Sequence, residues 1–427
     1  TATQVTNDKR DKTNTVTNPL KEINPTKDVT VKVGGDSVDG KSVYLNHTFL
    51  YRLDSSILPP GRAYQTVTDW GGTDQLNTEY DQYLGNWAVY ASRDLYRDGQ
   101  MLAAKGEKIA GSGFDSSKFG GNLFTVDADD NGKVTADATQ AYLDLVSADN
   151  EHEAGWVLYL QCKRIAVADE VPNTWTETIN GQPRESNKVV TKTPDMTPSI
   201  HLEKVDTPTL KQEGQERADR DDPKQALKMD ADSIGITFII TNTSKTDPAT
   251  GDGAWYKASD LNLDDSTIVG DAHVDMDSLT YPADWDTLVL KPGESVSVTG
   301  TLKGVKEGET HTDRAIVTGT PLVECAPSNG DPFNDKTDGG EDTDPEYSTG
   351  DVTEIDGKQL CADTQTASNT DDWNGYRAKP LASTGTAVLG LAGGALAVLL
   401  AGGSLLVFRK RHCAQGSGRH TAVNAGK

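Results

Sequence analysis

Residues Thr386–Phe408 run for 23 positions without a charged side chain, and Arg409-Lys410-Arg411 follow at once. Coiled as a helix rising about 1.5 Å per residue, that run is roughly 35 Å long, enough for the hydrocarbon core of a bilayer. A basic cluster at the end of an apolar span holds the tail on the cytoplasmic side. The sequence therefore predicts a single C-terminal transmembrane helix at 386–408 and a basic cytoplasmic tail at 409–427. Everything upstream lies on the outer face. All 65 acidic residues precede Gly385, and the formal net charge is −24. An acidic exterior of this kind excludes a nucleic-acid partner, because phosphate binding needs a basic surface. With 7 Trp and 13 Tyr the upstream region has enough large side chains to build cores.

The patterning upstream is that of strands. Phe49-Leu50-Tyr51-Arg52-Leu53 alternates at period two. Trp156, Leu158, Leu160 and Cys162 share one face of a second strand, with Val157 and Tyr159 opposite. Ile236–Thr241, Leu288–Leu290 and Ser295–Thr299 read as further strands, the last after a Pro292-Gly293 turn. One short helix is expected at Thr139–Val146. Strands and helices do not alternate, so a parallel α/β enzyme fold is excluded. Two stretches, from Thr13 to Lys27 and from Ser186 to Lys204, both read as a last strand, a Pro-containing linker and a first strand. That repetition predicts a modular array. The expected divisions are a tail strand and linker at 1–22, a domain at 23–195, a domain at 198–378 and a short segment at 379–385. The fold class expected is all-β, as tandem elongated Ig-like β-sandwich modules followed by the transmembrane helix. An exported chain needs a leader, and none stands at Thr1, so the sequence reads as a C-terminal piece or a processed product.

Leu381-Ala382-Ser383-Thr384-Gly385 stands directly before the apolar span. The order of pentapeptide, apolar span and basic tail resembles the sortase sorting signal, in a Leu-Ala-x-Thr-Gly variant. The bland alternative is a one-pass anchor. The resemblance implies that a sortase cysteine attacks the Thr384 carbonyl and releases Gly385 onward. Thr384 would then be joined to an amine on peptidoglycan or on a pilus subunit. The chain would be membrane-anchored before sorting and extracellular, wall-anchored, after it.

Five stretches resemble, in order, a C-terminal module of the antigen I/II family of cell-wall adhesins. They are Pro25–Val31, Thr48–Leu53, Asp81–Asn86, Tyr159–Ala166 and Asn173–Asn180. The resemblance implies an elongated β-sandwich holding an intramolecular Lys–Asn isopeptide bond. By position, the lysine is Lys27, the asparagine Asn173 and the assisting acid Asp74, with Asp69 as the alternate. Lysine attacks an amide only as the neutral amine, which burial favours, and a nearby carboxyl group can polarise the amide carbonyl. From spacing alone, Lys27 reads as a solvated strand residue and Asn173 as a turn residue; the resemblance is what favours the bond.

The second domain resembles the Ig-like repeat modules of actinobacterial surface proteins, through Ile200–Lys204, Ile236–Thr243, Leu290–Glu294 and Thr312–Gly319. The position equivalent to Asn173 is Asp313. A Lys204–Asp313 bond assisted by Asp264 or Asp265 is chemically possible. The departure from Asn leaves an unlinked sandwich as the expectation. Within this domain an acidic, turn-rich loop at 326–360 lies between Cys325 and Cys361, which either form a disulfide outside the membrane or remain thiols. Cys162 reads as a small buried hydrophobe.

Asp127-Ala128-Asp129-Asp130-Asn131-Gly132 matches half of an EF-hand loop, but Ala138 stands where the bidentate acid belongs. A type I′ hairpin turn at Asn131-Gly132 is the expectation there, and calcium the alternative. No cofactor is otherwise implied. Glu151-His152-Glu153 reads as a solvated loop. No hydrolase, metalloprotease or P-loop motif appears, so turnover catalysis is not expected beyond one self-directed crosslinking event. The combined reading is the stalk of a sortase-anchored adhesin, projecting an upstream binding domain toward a host glycoprotein or another bacterial surface. A pilus subunit or the anchor of an upstream extracellular enzyme are the alternatives.

Overall fold

The computed structural model describes residues 3–7, 9–12, 24–62, 66–207, 220–327, 330–333 and 352–380. The sorting pentapeptide Leu381–Gly385, the apolar span and the basic tail lie outside the described residues. So do Thr13–Pro19 and the acidic residues between Asp338 and Glu346. Among the described residues no helix is long and apolar enough to cross a membrane. Near the start, Thr3–Thr6 pairs with Lys9–Lys12 as an antiparallel hairpin.

Period-two alternation becomes two five-stranded antiparallel sheets in residues 24–193. One sheet has the order Thr26–Thr30, Thr48–Asp54, Trp156–Arg164, Asp81–Ala91, Lys108–Gly111. The other runs Phe124–Ala128, Lys133–Ala138, Trp70–Gln75, Trp175–Ile179, Gln182–Glu185. Their inner faces enclose one core, with Phe49, Tyr51, Leu158 and Leu160 from the first sheet and Trp70, Val134 and Trp175 from the second. Burying large apolar side chains on facing sheets is the main stabilising term. Trp175 lies across the strand beside it only because Gly72 has no side chain. A Cβ there would stand 2.5 Å from the indole ring. The expected helix is present at Gln140–Ala148 and closes one end with Tyr142, Leu143, Leu145 and Val146.

The hairpin at Asp129–Gly132 forms, but not with the expected turn. Gly132 has φ 82°, whereas Asn131 is absent from the positive-φ residues. A type I′ turn needs positive φ at both central positions. Here the Asp129 carboxylate accepts from the Asn131 and Lys133 amides, both at 2.9 Å, and stabilises the right-handed alternative.

Residues 200–377 build a second core between two four-stranded sheets. One has the order Ile200–Asp206, Ser233–Asn242, Ser295–Lys303, His273–Val274. The other runs Leu227–Met229, Ala367–Arg377, Thr310–Gly319, Asn262–Val269. Ile236, Phe238, Ile240 and Val298 meet Ala315, Val317 and Trp373 across the gap. A small sheet of Leu322–Glu324, Lys358–Ala362 and Thr353–Ile355 carries the Cys325–Cys361 disulfide. Cys162 is fully buried, and burial raises its thiol well above the usual range.

Candidate functional site

Alternation carries a lysine into each core. In Thr26–Thr30 the inward positions include Lys27 and Val29, so the Lys27 stem follows an apolar face and its side chain has no exposed surface. Its Nζ donates to Asp74 Oδ2, also buried, on the facing sheet. The ammonium lies 4.3 Å above the Tyr51 ring, and the Tyr51 hydroxyl donates to Asp81 at 2.8 Å. Burial lowers the Lys27 pKa, against the opposing pull of Asp74, so the neutral amine is brought nearer than in water.

Three ties bracket Asn173 beside this pair. Trp175, two residues on, is in register with Asp74. The Trp175 indole donates to the Thr26 carbonyl at 3.0 Å. Asn173 is paired with Val189, and Asn187 just before it exchanges two 2.8 Å hydrogen bonds with the Lys27 backbone. Asn173 is 6% exposed, and its Nδ2 finds no hydrogen-bond partner among the described residues. A buried amide left in that condition costs free energy. The alternate acid, Asp69, is placed elsewhere. It accepts from the Gly181 amide at 3.1 Å and holds the Asn180-Gly181 turn.

The second core repeats the pattern with different chemistry. Lys204 lies inward with Ile200 and Leu202. Its Nζ donates to Asp265 Oδ2 and stands 2.7 Å from Asp313 Oδ2, all three side chains being buried. Neither Asp313 carboxylate oxygen makes a properly directed hydrogen bond among the described residues. Of the two acids predicted to assist, Asp265 faces Lys204, whereas Asp264 is exposed and caps the Asp265 amide. Neighbours on a strand point to opposite faces, so only one could enter. Burial raises the Asp265 carboxyl to about 6; Lys204 opposes that shift, and the Asp313 charge adds to it.

His311 was not predicted from sequence. It is 1% exposed, with Nε2 3.2 Å from Asp313 Oδ2. The signal was available, because His311, Asp313, Ala315 and Val317 form one inward-facing row of the alternation. A second unpredicted group lies under the first core. Arg164 donates to Asp81, Thr193 and Thr191 at 2.7–2.8 Å with no exposed surface of its own. Two open clefts, of about 620 and 570 Å³, have none of these lysines or their acids in their walls. Each buried amine instead meets carboxylates of its own module, Asp74 for Lys27 and Asp265 and Asp313 for Lys204.

Against this geometry stand the comparisons with known proteins. The family described as cell surface antigen C-terminus matches residues 24–194, the span of the first core. Over residues 24–194 the chain is similar to that cell surface antigen family. The Aggregation substance of Enterococcus faecalis is 36% identical over 197 residues, which are 45% of this chain and 14% of that protein. The chain thus spans about a seventh of that relative's length. Among solved structures, the C-terminal domain of the Streptococcus pyogenes antigen I/II-family protein AspA is 28% identical. The match covers 40% of this chain and 47% of that one, with a TM-score of 0.35. The C-terminal domain of the Streptococcus agalactiae AgI/II polypeptide BspA is 23% identical over 40% of this chain and 50% of that one, with the same TM-score. Lys27 and Asn173 stand at opposite ends of the matched span.

Proposed function

We propose that the chain is the C-terminal stalk of a sortase-anchored surface adhesin, stiffened by intramolecular isopeptide bonds and joined to the cell wall through Thr384. The observation that carries this reading is the buried Lys27–Asp74 pair together with the buried Asn173, whose Nδ2 has no partner among the described residues. Proton transfer along the Lys27–Asp74 hydrogen bond turns an ion pair into a neutral amine and a carboxylic acid. Lys27 Nζ then attacks Asn173 Cγ while the acid polarises Oδ1. The C–Nδ2 bond breaks, the proton passes to the leaving nitrogen, and ammonia departs. The same logic joins Lys204 to Asp313 with loss of water, Asp265 assisting; the 2.7 Å approach of Nζ to Asp313 favours this over an unlinked second module. The modules are read as the Ig-like kind, and the surface role follows the antigen family matched by the first.

A covalent tie between distant strands stops the module from extending under load. It also limits the entropy of the unfolded chain, as a disulfide does. Intact-mass measurement tests the bonds directly. The expected deficits are about 17 Da for the first and about 18 Da for the second, by mass conservation on losing ammonia or water. A full calculated mass after reduction sinks both. The anchor is tested separately by Thr384→Ala, which should leave the protein extractable with the membrane fraction; equal retention in the wall would overturn it.

A further inference from the structure

The outer face of the first sheet is apolar, and it is not open to solvent. Leu50, Ala88, Tyr90, Val157 and Tyr159 form a cluster there with Phe333, a residue of the second module's loop that has no exposed surface. Polar contacts fix the same segment to three positions of the first module. Lys108 Nζ donates to the Phe333 carbonyl at 2.9 Å. Ser112 Oγ donates to Asp331 Oδ2 at 2.9 Å. Gln161 Nε2 donates to the Gly330 carbonyl at 3.0 Å. The tip is itself preshaped, since the Phe333 amide donates back to Asp331 Oδ1 at 2.8 Å.

We propose that Gly330–Phe333 is an aromatic latch that seats in the outer sheet face of the first module and locks the second module to it. The two modules then carry load as one stiff rod. The tether makes the latch effective. Phe333 stands eight positions beyond Cys325, so the tip stays within roughly 29 Å of the disulfide that anchors its base. A short tether keeps the effective concentration of Phe333 at its socket high. A second attachment removes the remaining hinge. Ser42 Oγ donates to Asp247 Oδ2 at 2.7 Å, and the Tyr44 hydroxyl donates to Asp252 Oδ2 at 3.0 Å. Two contacts at separate points resist bending where one would act as a pivot.

The latch requires neither isopeptide bond nor wall attachment, and its test reads geometry instead of mass. Spin labels on cysteines replacing Met101 and Ile268, both exposed and one in each module, report the distance between modules in the full chain. The expected result is one narrow distance in the parent, lost to a broad distribution in Phe333→Ala and kept in Phe333→Leu. A parent that is already broad, or a Phe333→Ala variant that stays narrow, overturns the latch. If Phe333→Ala fails to fold, chymotrypsin decides on folded protein. The parent should resist cleavage after Phe333, and Lys108→Met should be cut roughly tenfold faster. Rapid cleavage of the parent overturns the proposal. So does a parent dimer that Phe333→Ala dissolves, because the socket would then be filled by a second copy.

Discussion

The two buried lysines occupy equivalent places in their modules and differ by one charge. Lys27 faces one carboxylate and an amide, so that site is neutral overall. Lys204 faces two carboxylates, Asp265 and Asp313, in an equally dry setting. An uncompensated charge in a core is costly, and the site responds by holding a proton more tightly. Burial raises the Asp265 carboxyl to about 6, with Lys204 opposing the shift and the Asp313 charge adding to it. The contrast teaches that one architecture can hold two different charge balances around a buried lysine. Under the proposed crosslinking, the first site would reach its productive state by moving a proton internally, whereas the second would be favoured by taking one up.

The largest effect separating the sites should come from deleting the electrophiles. Asn173→Ala should restore the lost mass and cost about 5 kcal/mol, since the bond closes a loop of well over a hundred residues. In a module of this size that is a fall in melting temperature of roughly 10–20 °C by calorimetry. Asp313→Ala should cost about the same if the second bond exists. In an unlinked module the same change relieves an excess buried charge, and stability should hold or rise. The sign of that single measurement decides between the two states.

Next in size is the assisting acid. Asp74→Ala should block the first bond, read as a full mass, and leave Lys27 buried without its partner. Removing one member of a buried pair costs about 3–5 kcal/mol. Chemical denaturation of the variant checks this, and a bond that still forms would remove Asp74 from the mechanism.

The comparison is sharpened by pH. Refolded chain should gain the second bond faster at pH 5 than at pH 8, because protonation of a group titrating at about 6 is required. The first bond needs no net uptake, and its rate should be flat over that window. Timed mass spectra follow both deficits at once. Asp313→Asn should change the second deficit to about 17 Da by losing ammonia instead of water and abolish its acid preference. A first bond with the same acid preference would break the distinction.

The smallest effect concerns the support beneath Lys27. Tyr51→Phe keeps the ring under the ammonium and removes only the hydroxyl that donates to Asp81. It should cost about 1–1.5 kcal/mol, measured by denaturant titration, with the first bond still formed.

Much of this was legible along the chain. Alternation alone puts Val157 and Tyr159 opposite Leu158 and Leu160, whereas the inward placement of Lys27 and Lys204 is seen only in the folded sheets. The former assignment is local, because a strand's period is fixed by its own backbone. The family resemblance selected Asn173 and Asp74, residues 99 apart in sequence. Spacing alone favours the solvated alternatives. The turn at Asn131-Gly132 was misassigned because the Asp129 side chain, not the dipeptide, sets its geometry.

What the sequence by itself determined is the all-β class and the apolar span with its basic stop and preceding pentapeptide. Tertiary structure alone decided which acid meets each amine. Asp264 and Asp265 are adjacent, and only the sheet's orientation says which one enters the core. It also decided that the second face of the Trp156–Arg164 strand is covered, by Phe333 from 169 residues beyond Arg164. Contacts of that range cost chain entropy before they return any burial. No local pattern encodes them, and they exist only once both modules have folded.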